Sequence, residues 1–285
     1  MVLRQQLFVL LALLPPFSVV AHAQWLNYPT PGTPRTRDGK PNLTAPAPRT
    51  TNGKPDLSGV WHVEPTPLAE LKRIFGGFID ATAPLSVPGM GADNVNKYFI
   101  SVLADFKPQE MPLRPEALAF LRAHESVDGP EKVCLPGGPV TPYIPDPHKI
   151  VQTPNEIVIM YEADGSHRQI YTDGRGLPKE IIQPSWQGYS AAQWDGDTLV
   201  VETAGFNDRT RLDLLGHPHS EALRVVEHYK RRDFGHMDAE MTFNDPQYYT
   251  KPFTIRYTEE LLPDTDVLEY VCNENEKDSV HVGKK

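Results

Sequence analysis

From residue 147 onward, apolar and polar positions alternate in short runs bounded by turn residues, and a period of two predicts β-strands. Runs that fit lie at 148–152, 156–162, 167–172, 189–194, 198–203, 222–231, 237–243, 253–261 and 267–272. Asp164-Gly165 and Asp195-Gly196 fall between paired runs and predict hairpin turns, because glycine tolerates positive φ. An earlier run adds to them: Leu57, Gly59, Trp61 and Val63 alternate against Ser58, Val60 and His62. A meander of about ten antiparallel strands is expected to close into a barrel or pack as a sandwich, since open edges invite aggregation. Helical spacing occurs at 68–75 and 115–124, with Pro115 and Glu116 suited to a helix start. This places an insertion of short helices at about 66–128, capping or lining the barrel mouth.

The chain before the first strand reads differently. Residues 24–52 are rich in Pro, Thr, Arg and Gly and are expected to form an extended arm. They contain most of a local repeat: Pro34-Arg35-Thr36-Arg37-Asp38-Gly39-Lys40-Pro41-Asn42-Leu43-Thr44 returns as Pro48-Arg49-Thr50-Thr51-Asn52-Gly53-Lys54-Pro55-Asp56-Leu57-Ser58. One such repeat is too short for a solenoid. Residues 1–23 have the pattern of a signal peptide, with Arg4, an apolar stretch and Ala21-His22-Ala23 as the cleavage site. The mature chain is then expected to start at Gln24, periplasmic or extracellular, with residues 53–285 forming a single β-barrel domain. The apolar stretch is shorter than the roughly 20 residues a membrane helix needs, so no membrane insertion is expected.

Composition narrows the partners. The chain has 28 Lys+Arg against 37 Asp+Glu, and losing Arg4 with the leader takes the net charge from −9 to −10. Such a surface repels phosphate backbones, so nucleic acid is not an expected partner. Proline, at 29 residues, favours turns and long loops over a helical bundle. The two cysteines, Cys134 and Cys272, are expected to pair in an oxidising compartment. The loop so closed would stabilise the fold by up to about 5 kcal/mol. The alternative of two thiols acting as metal ligands or a nucleophile lacks a Cys-x-x-Cys pair to support it.

Candidate chemistry begins with Gly216-His217-Pro218-His219-Ser220-Glu221. Extended, this segment would put His217, His219 and Glu221 on one face, where they could bind a metal or move protons. A loop histidine flanked by Gly and Pro is also a common structural residue. Glu202, beside Val200 and Thr198, becomes a candidate base if it faces the lumen, and an exposed acid if it faces out. Glu227 repeats that situation on the face of Leu223, Val225 and Tyr229. The strand at 167–172 is polar, aligning His167, Gln169, Tyr171 and Asp173 against Arg168, Ile170 and Thr172. Arg168 and Arg175 are candidates to meet an anionic ligand group or a buried glutamate. Trp186, Tyr189, Trp194 and Trp61 gather near these elements and suit either a ring-binding site or a core. The common hydrolase, nucleotide and zinc-protease motifs do not occur in the sequence.

Gly59-Val60-Trp61 resembles the opening strand of lipocalin-like barrels, in which the tryptophan closes one end. The segments GKPDLSGVW, HRQIYTDGR, WDGDTLVVETAGFND, GHPHSEALRVVEHYKRRDFGHM and LEYVCNENEKD resemble those of a large group of exported bacterial proteins of unknown function. The resemblance spans about residues 48–278 and implies a mainly β, antiparallel lipocalin-like (calycin-like) barrel. It transfers no reaction. Two function classes remain, both with a small organic molecule in the barrel mouth. One is a lyase, isomerase or hydrolase without a redox cofactor, its acid–base set drawn from His148, Tyr171, Asp173, Glu202, His219 and Glu221. The other is a non-catalytic carrier of an apolar or glycosidic compound. Arg168, Arg175, Trp186, Tyr189 and Trp61 would contact the ligand in either. The polar strand and the two strand glutamates favour the enzyme. No cofactor is expected beyond a divalent metal at His217, His219 and Glu221, and the oligomeric state is open.

Overall fold

A computed structural model describes residues 28–77, 79, 95–124, 134–181, 183–269 and 271. Nine strands follow one another round a closed barrel: β1 (Gly59–Val63), β2 (His148–Gln152), β3 (Glu156–Tyr161), β4 (His167–Tyr171), β5 (Tyr189–Asp195), β6 (Thr198–Ala204), β7 (Arg224–Arg231), β8 (His236–Asn244) and β9 (Phe253–Leu261). β9 pairs back on β1 through Trp61↔Leu261 and Val63↔Glu259. The architecture is mainly β and consistent with a lipocalin-like barrel. One seam departs from the antiparallel rule: β4 and β5 run parallel, joined only at Ile170↔Ser190 and Tyr171↔Ala191. Parallel neighbours need a long connection, here the chain from 172 to 188.

The expected strand at 267–272 does not form at Val267, Leu268, Glu269 or Val271. Closure explains this: β1 is already paired on both sides, so no edge is left to accept another strand. Elsewhere the alternation becomes the two faces of the barrel wall. Leu199, Val201 and Thr203 of β6 point inward, as do Val225, Glu227 and Tyr229 of β7 and Met237, Ala239, Met241 and Phe243 of β8, and all are buried. Packing the interior this fully makes it a core and not an open cup.

The barrel is closed at both ends. At one end Trp61 is fully buried, donates from Nε1 to the Leu57 carbonyl at 3.0 Å and lies under the Arg231 guanidinium, 4.8 Å from the ring centroid. Arg231 is itself 5 % exposed and bonds only carbonyls, those of Asp56, Asp233 and Phe234. At the other end a 3-10 segment, Gly138–Tyr143, is buried along its whole length and plugs the opening. Tyr143 packs edge-on against Phe243, and its hydroxyl donates to the Leu212 carbonyl at 2.5 Å. Helices α1 (Leu68–Phe75), α2 (Lys97–Ile100) and α3 (Pro115–Ala123), with a 3-10 turn at Pro108–Glu110, occupy the region read as helical. Leu71 of α1 and Ile100 of α2 pack with Ile79 in a small core of their own.

The sequence repeat becomes a structural repeat. In each copy a tight loop is closed by matching backbone bonds, Thr36 N to Lys40 O and Thr50 N to Lys54 O, both at 2.9 Å. Gly39 and Gly53 take φ of +82° and +79° there, the region that favours glycine. In each copy the arginine donates to the glycine carbonyl of its own loop and to an aspartate on the barrel: Arg35 to Asp264 beyond β9, Arg49 to Asp197 in the β5–β6 turn. The arm is thus fastened at two points 14 residues apart in the repeat.

No helix among the described residues is long and apolar enough to cross a membrane. The expected signal peptide and cleavage site lie outside the described residues, as does Cys272. No free cysteine stands among the described residues.

Candidate functional site

Inside the barrel the polar residues converge. Arg168 of β4 donates from Nη1 and Nη2 to the two carboxylate oxygens of Glu227 on β7. Its Nε reaches Ser190 Oγ at 3.0 Å and its Nη2 reaches Thr203 Oγ1 at 2.7 Å. Tyr229 donates to Glu227 Oε1 at 2.8 Å. The Arg168 side chain is 4 % exposed and that of Glu227 is 0 %. A buried charge pair depends on its remaining donors and acceptors being engaged, and here four of the five guanidinium N–H groups and both carboxylate oxygens have partners. Beside it His148 Nε2 lies 3.3 Å from Glu259 Oε2, while the Tyr161 hydroxyl has no partner. Burial raises the pKa values of Tyr161, Tyr229 and Tyr257, so all three hydroxyls stay protonated. The void beside Arg168 and Glu227 is only about 10 Å³. That is about the least a single water needs, so this void holds no organic ligand.

The accessible counterpart is a groove of about 410 Å³ on the outside of the parallel β4–β5 seam. Because that seam has only two paired positions, the sheet parts there, and the segment 185–190 forms the opposing wall. Trp186, Tyr171 and Tyr189 supply rings, while Ser166, His167, Gln169 and Gln187 supply polar edges. Tyr171 and Tyr189 stack with ring centroids 5.3 Å apart. Arg175 lies 4.0 Å over Tyr171, and Arg209 lies 4.6 Å over Trp186. Asp173 holds Arg175 through both carboxylate oxygens, and the ion pair lowers the Asp173 pKa. No carboxylate lines the groove among the described residues. Gly188, with φ +65°, lets the wall approach β6: a Cβ there would stand 2.9 Å from the Ala204 carbonyl oxygen.

The His-x-His-x-Glu run lies outside the groove's lining. His217 Nδ1 bonds Asp213 Oδ2 at 2.5 Å, and the same carboxylate oxygen accepts from the Val102 amide at 2.7 Å. His219 Nε2 bonds Thr210 Oγ1 at 2.5 Å, while Nδ1 faces the Ser220 carbonyl at 3.3 Å. Ser220 is held in turn by Asp245, through its amide at 2.6 Å and its hydroxyl at 3.0 Å. Both imidazoles are buried, and Glu221 is exposed. Burial pushes the His219 pKa down to about 4, so this ring is neutral at physiological pH. The three residues do not form a group of convergent ligands; among the described residues that description fits Glu64, His236 and Glu260. Arg211 bridges Pro218, which lays the run along the preceding segment, where Asp213 and Thr210 take up the two imidazoles, and Glu221 falls in the turn that follows.

The other expected site residues are dispersed. Tyr171, Trp186 and Tyr189 share the groove, and Asp173 with Arg175 sits at its rim through Tyr171. His148 is inside the barrel, Trp61 closes its far end, and Arg168 is committed to Glu227. Glu202 faces out, exposed, and with Arg175 and Gln193 lines a separate recess of about 160 Å³. Ser190, Thr203 and Glu259 were not singled out from the sequence, yet they belong to the buried polar network or border it. The signal for Glu259 was its place among the inward positions Phe253, Ile255, Tyr257 and Leu261. Ser190 and Thr203 are small and common in strands and gave none.

No family model matches the chain, and the searches of curated proteins and of solved structures found no similar protein.

Proposed function

We propose that this protein binds a small polar ring compound, such as a glycoside, in the groove over the β4–β5 seam, without turning it over. The observation that supports the reading best is the groove's lining: three aromatic rings with amide, hydroxyl and imidazole edges, and no carboxylate. Rings stack on the faces of sugars and aromatic compounds, and polar edges fix their orientation. Acid–base catalysis asks for a titrating pair within reach of the ligand. The groove's wall offers His167 and tyrosines, while Glu227 and Glu259 lie inside the barrel. Arg209, stacked on Trp186, gives the groove a positive rim that also accommodates an acidic sugar.

Export fits this role. A leader at 1–23 and the resemblance of the five segments to the exported group support a periplasmic or extracellular binder, and measuring the mature N-terminus at Gln24 tests it. Binding is tested by calorimetric titration of the mature protein with a panel of mono- to trisaccharides, uronic acids and phenyl glycosides. Saturable binding by one class, weakened at least tenfold in Trp186→Ala and in Tyr189→Ala, is expected. Binding that survives both substitutions unchanged, or none across the panel, overturns the reading. Conversion of the bound compound, followed by mass spectrometry, would return the enzyme reading.

A further inference from the structure

On the outer wall, at the side of the barrel opposite the groove by strand order, histidines and glutamates meet across three strands. His62 of β1 pairs directly with Glu260 of β9, and Glu260 pairs directly with His236 of β8. Directly opposed residues have Cβ atoms about 4.5–5.5 Å apart, and diagonal ones remain within reach of long side chains. Glu64 follows β1, its amide donating to the Thr258 carbonyl at 2.8 Å, which sets its side chain diagonal to Glu260. One ligand atom each from Glu64, His236 and Glu260 lie within 4.8 Å of one another, and all three residues are half-buried. No lysine or arginine pairs with either glutamate among the described residues.

The support around this cluster favours an ion. His236 Nδ1 donates to Asp233 Oδ1 at 2.7 Å, and Asp233 also accepts from the His236 and Gly235 amides at 2.9 and 3.0 Å. A carboxylate that fixes one imidazole nitrogen leaves the other to bind metal and increases its basicity, the usual outer support of a metal-bound histidine. Two carboxylates held together on neighbouring strands repel one another unless a cation lies between them. The mixed nitrogen and oxygen donor set suits a borderline ion better than calcium or magnesium.

We propose that Glu64, His236 and Glu260 bind a divalent transition ion of the zinc type, with His62 beside the fourth coordination position. The ion would tie β1, β8 and β9 together where the barrel closes. The probe is Zn²⁺ itself, titrated into tag-free mature protein stripped with a chelator. The expected result is one saturating equivalent, with affinity at least tenfold weaker in His236→Ala and in the near-isosteric Glu260→Gln. His124→Ala, on an exposed residue elsewhere, should bind as the parent does. Circular dichroism identifies any variant that fails to fold, and Glu260→Gln then decides alone. No saturable zinc binding by the parent, or unchanged affinity in Glu260→Gln, overturns the proposal. Both results are independent of the groove, since no ligand of the ion lines it.

Discussion

Arg168 and Glu227 have exchanged hydration for each other, two hydroxyl partners and Tyr229, so neither can lose its partner cheaply. Removing one member of a buried pair leaves an uncompensated charge and costs about 3–5 kcal/mol. Glu227→Leu should therefore lower the stability measured by urea unfolding by about that much. Arg168→Met combined with Glu227→Leu should recover most of it, because an apolar pair replaces the ions. His219 makes a second test at this scale. Its folded pKa of about 4 lies below the unfolded value of about 6.5, so below pH 6.5 the unfolded chain binds a proton that the folded one refuses. The stability it contributes is fully present above pH 6.5 and is lost as pH falls toward 4, roughly 3 kcal/mol at most. Comparing the parent with His219→Gln over pH 4–7 should show a shallower decline in the variant; parallel curves would remove His219 as the cause.

Among the elements, the plug and its neighbours decide whether the groove has a wall. Gly138 starts the plug at φ +70°, and a Cβ there would stand 2.8 Å from Thr210 Oγ1 and 2.9 Å from the Trp186 carbonyl oxygen. Thr210 is the residue that His219 holds. Gly138→Ala should cost about 2 kcal/mol or more from left-handed backbone strain and crowding together, and should displace Trp186. A thermal melt reads the first effect and ligand affinity the second. The arm's two loops predict a contrast. The Arg49–Asp197 pair is about half exposed on both sides, so Asp197→Ala should change global stability by less than about 1 kcal/mol. It should nevertheless speed proteolysis of the arm at residues 48–56, because opening one fastening needs no global unfolding. The repeat was legible in the sequence as a copy, but its meaning required Asp197 and Asp264, residues that no local pattern connects to it.

For the whole molecule, barrel closure distributes stability unevenly. The β7–β8 and β8–β9 pairs run for eight residues each, whereas β4–β5 is joined at two. Amide hydrogen exchange should accordingly be slowest in β7, β8 and β9 and fastest at the β4–β5 seam, the wall of the proposed binding groove. Uniform protection around the barrel would contradict this.

The alternation of side chains determined most of the strands and which residues share a face, because a period of two is a local consequence of the backbone. The same local logic placed the helices at 68–75 and 115–124 and the turns at Gly165 and Gly196. It could not decide whether Arg168 meets a ligand or Glu227, nor whether Glu202 faces in, since both depend on which strands become neighbours. Nor could it foresee that residues 267–269 stay outside the sheet, because closure of β9 on β1 removes the edge they would have joined. The His-x-His-x-Glu run showed the limit most plainly. Packing against Asp213 and Thr210 took up its two histidines, and Glu221 was left exposed. Tertiary structure instead brought His236, Glu64 and Glu260 together from segments about 170 and 25 residues apart, distances over which only the fold can act.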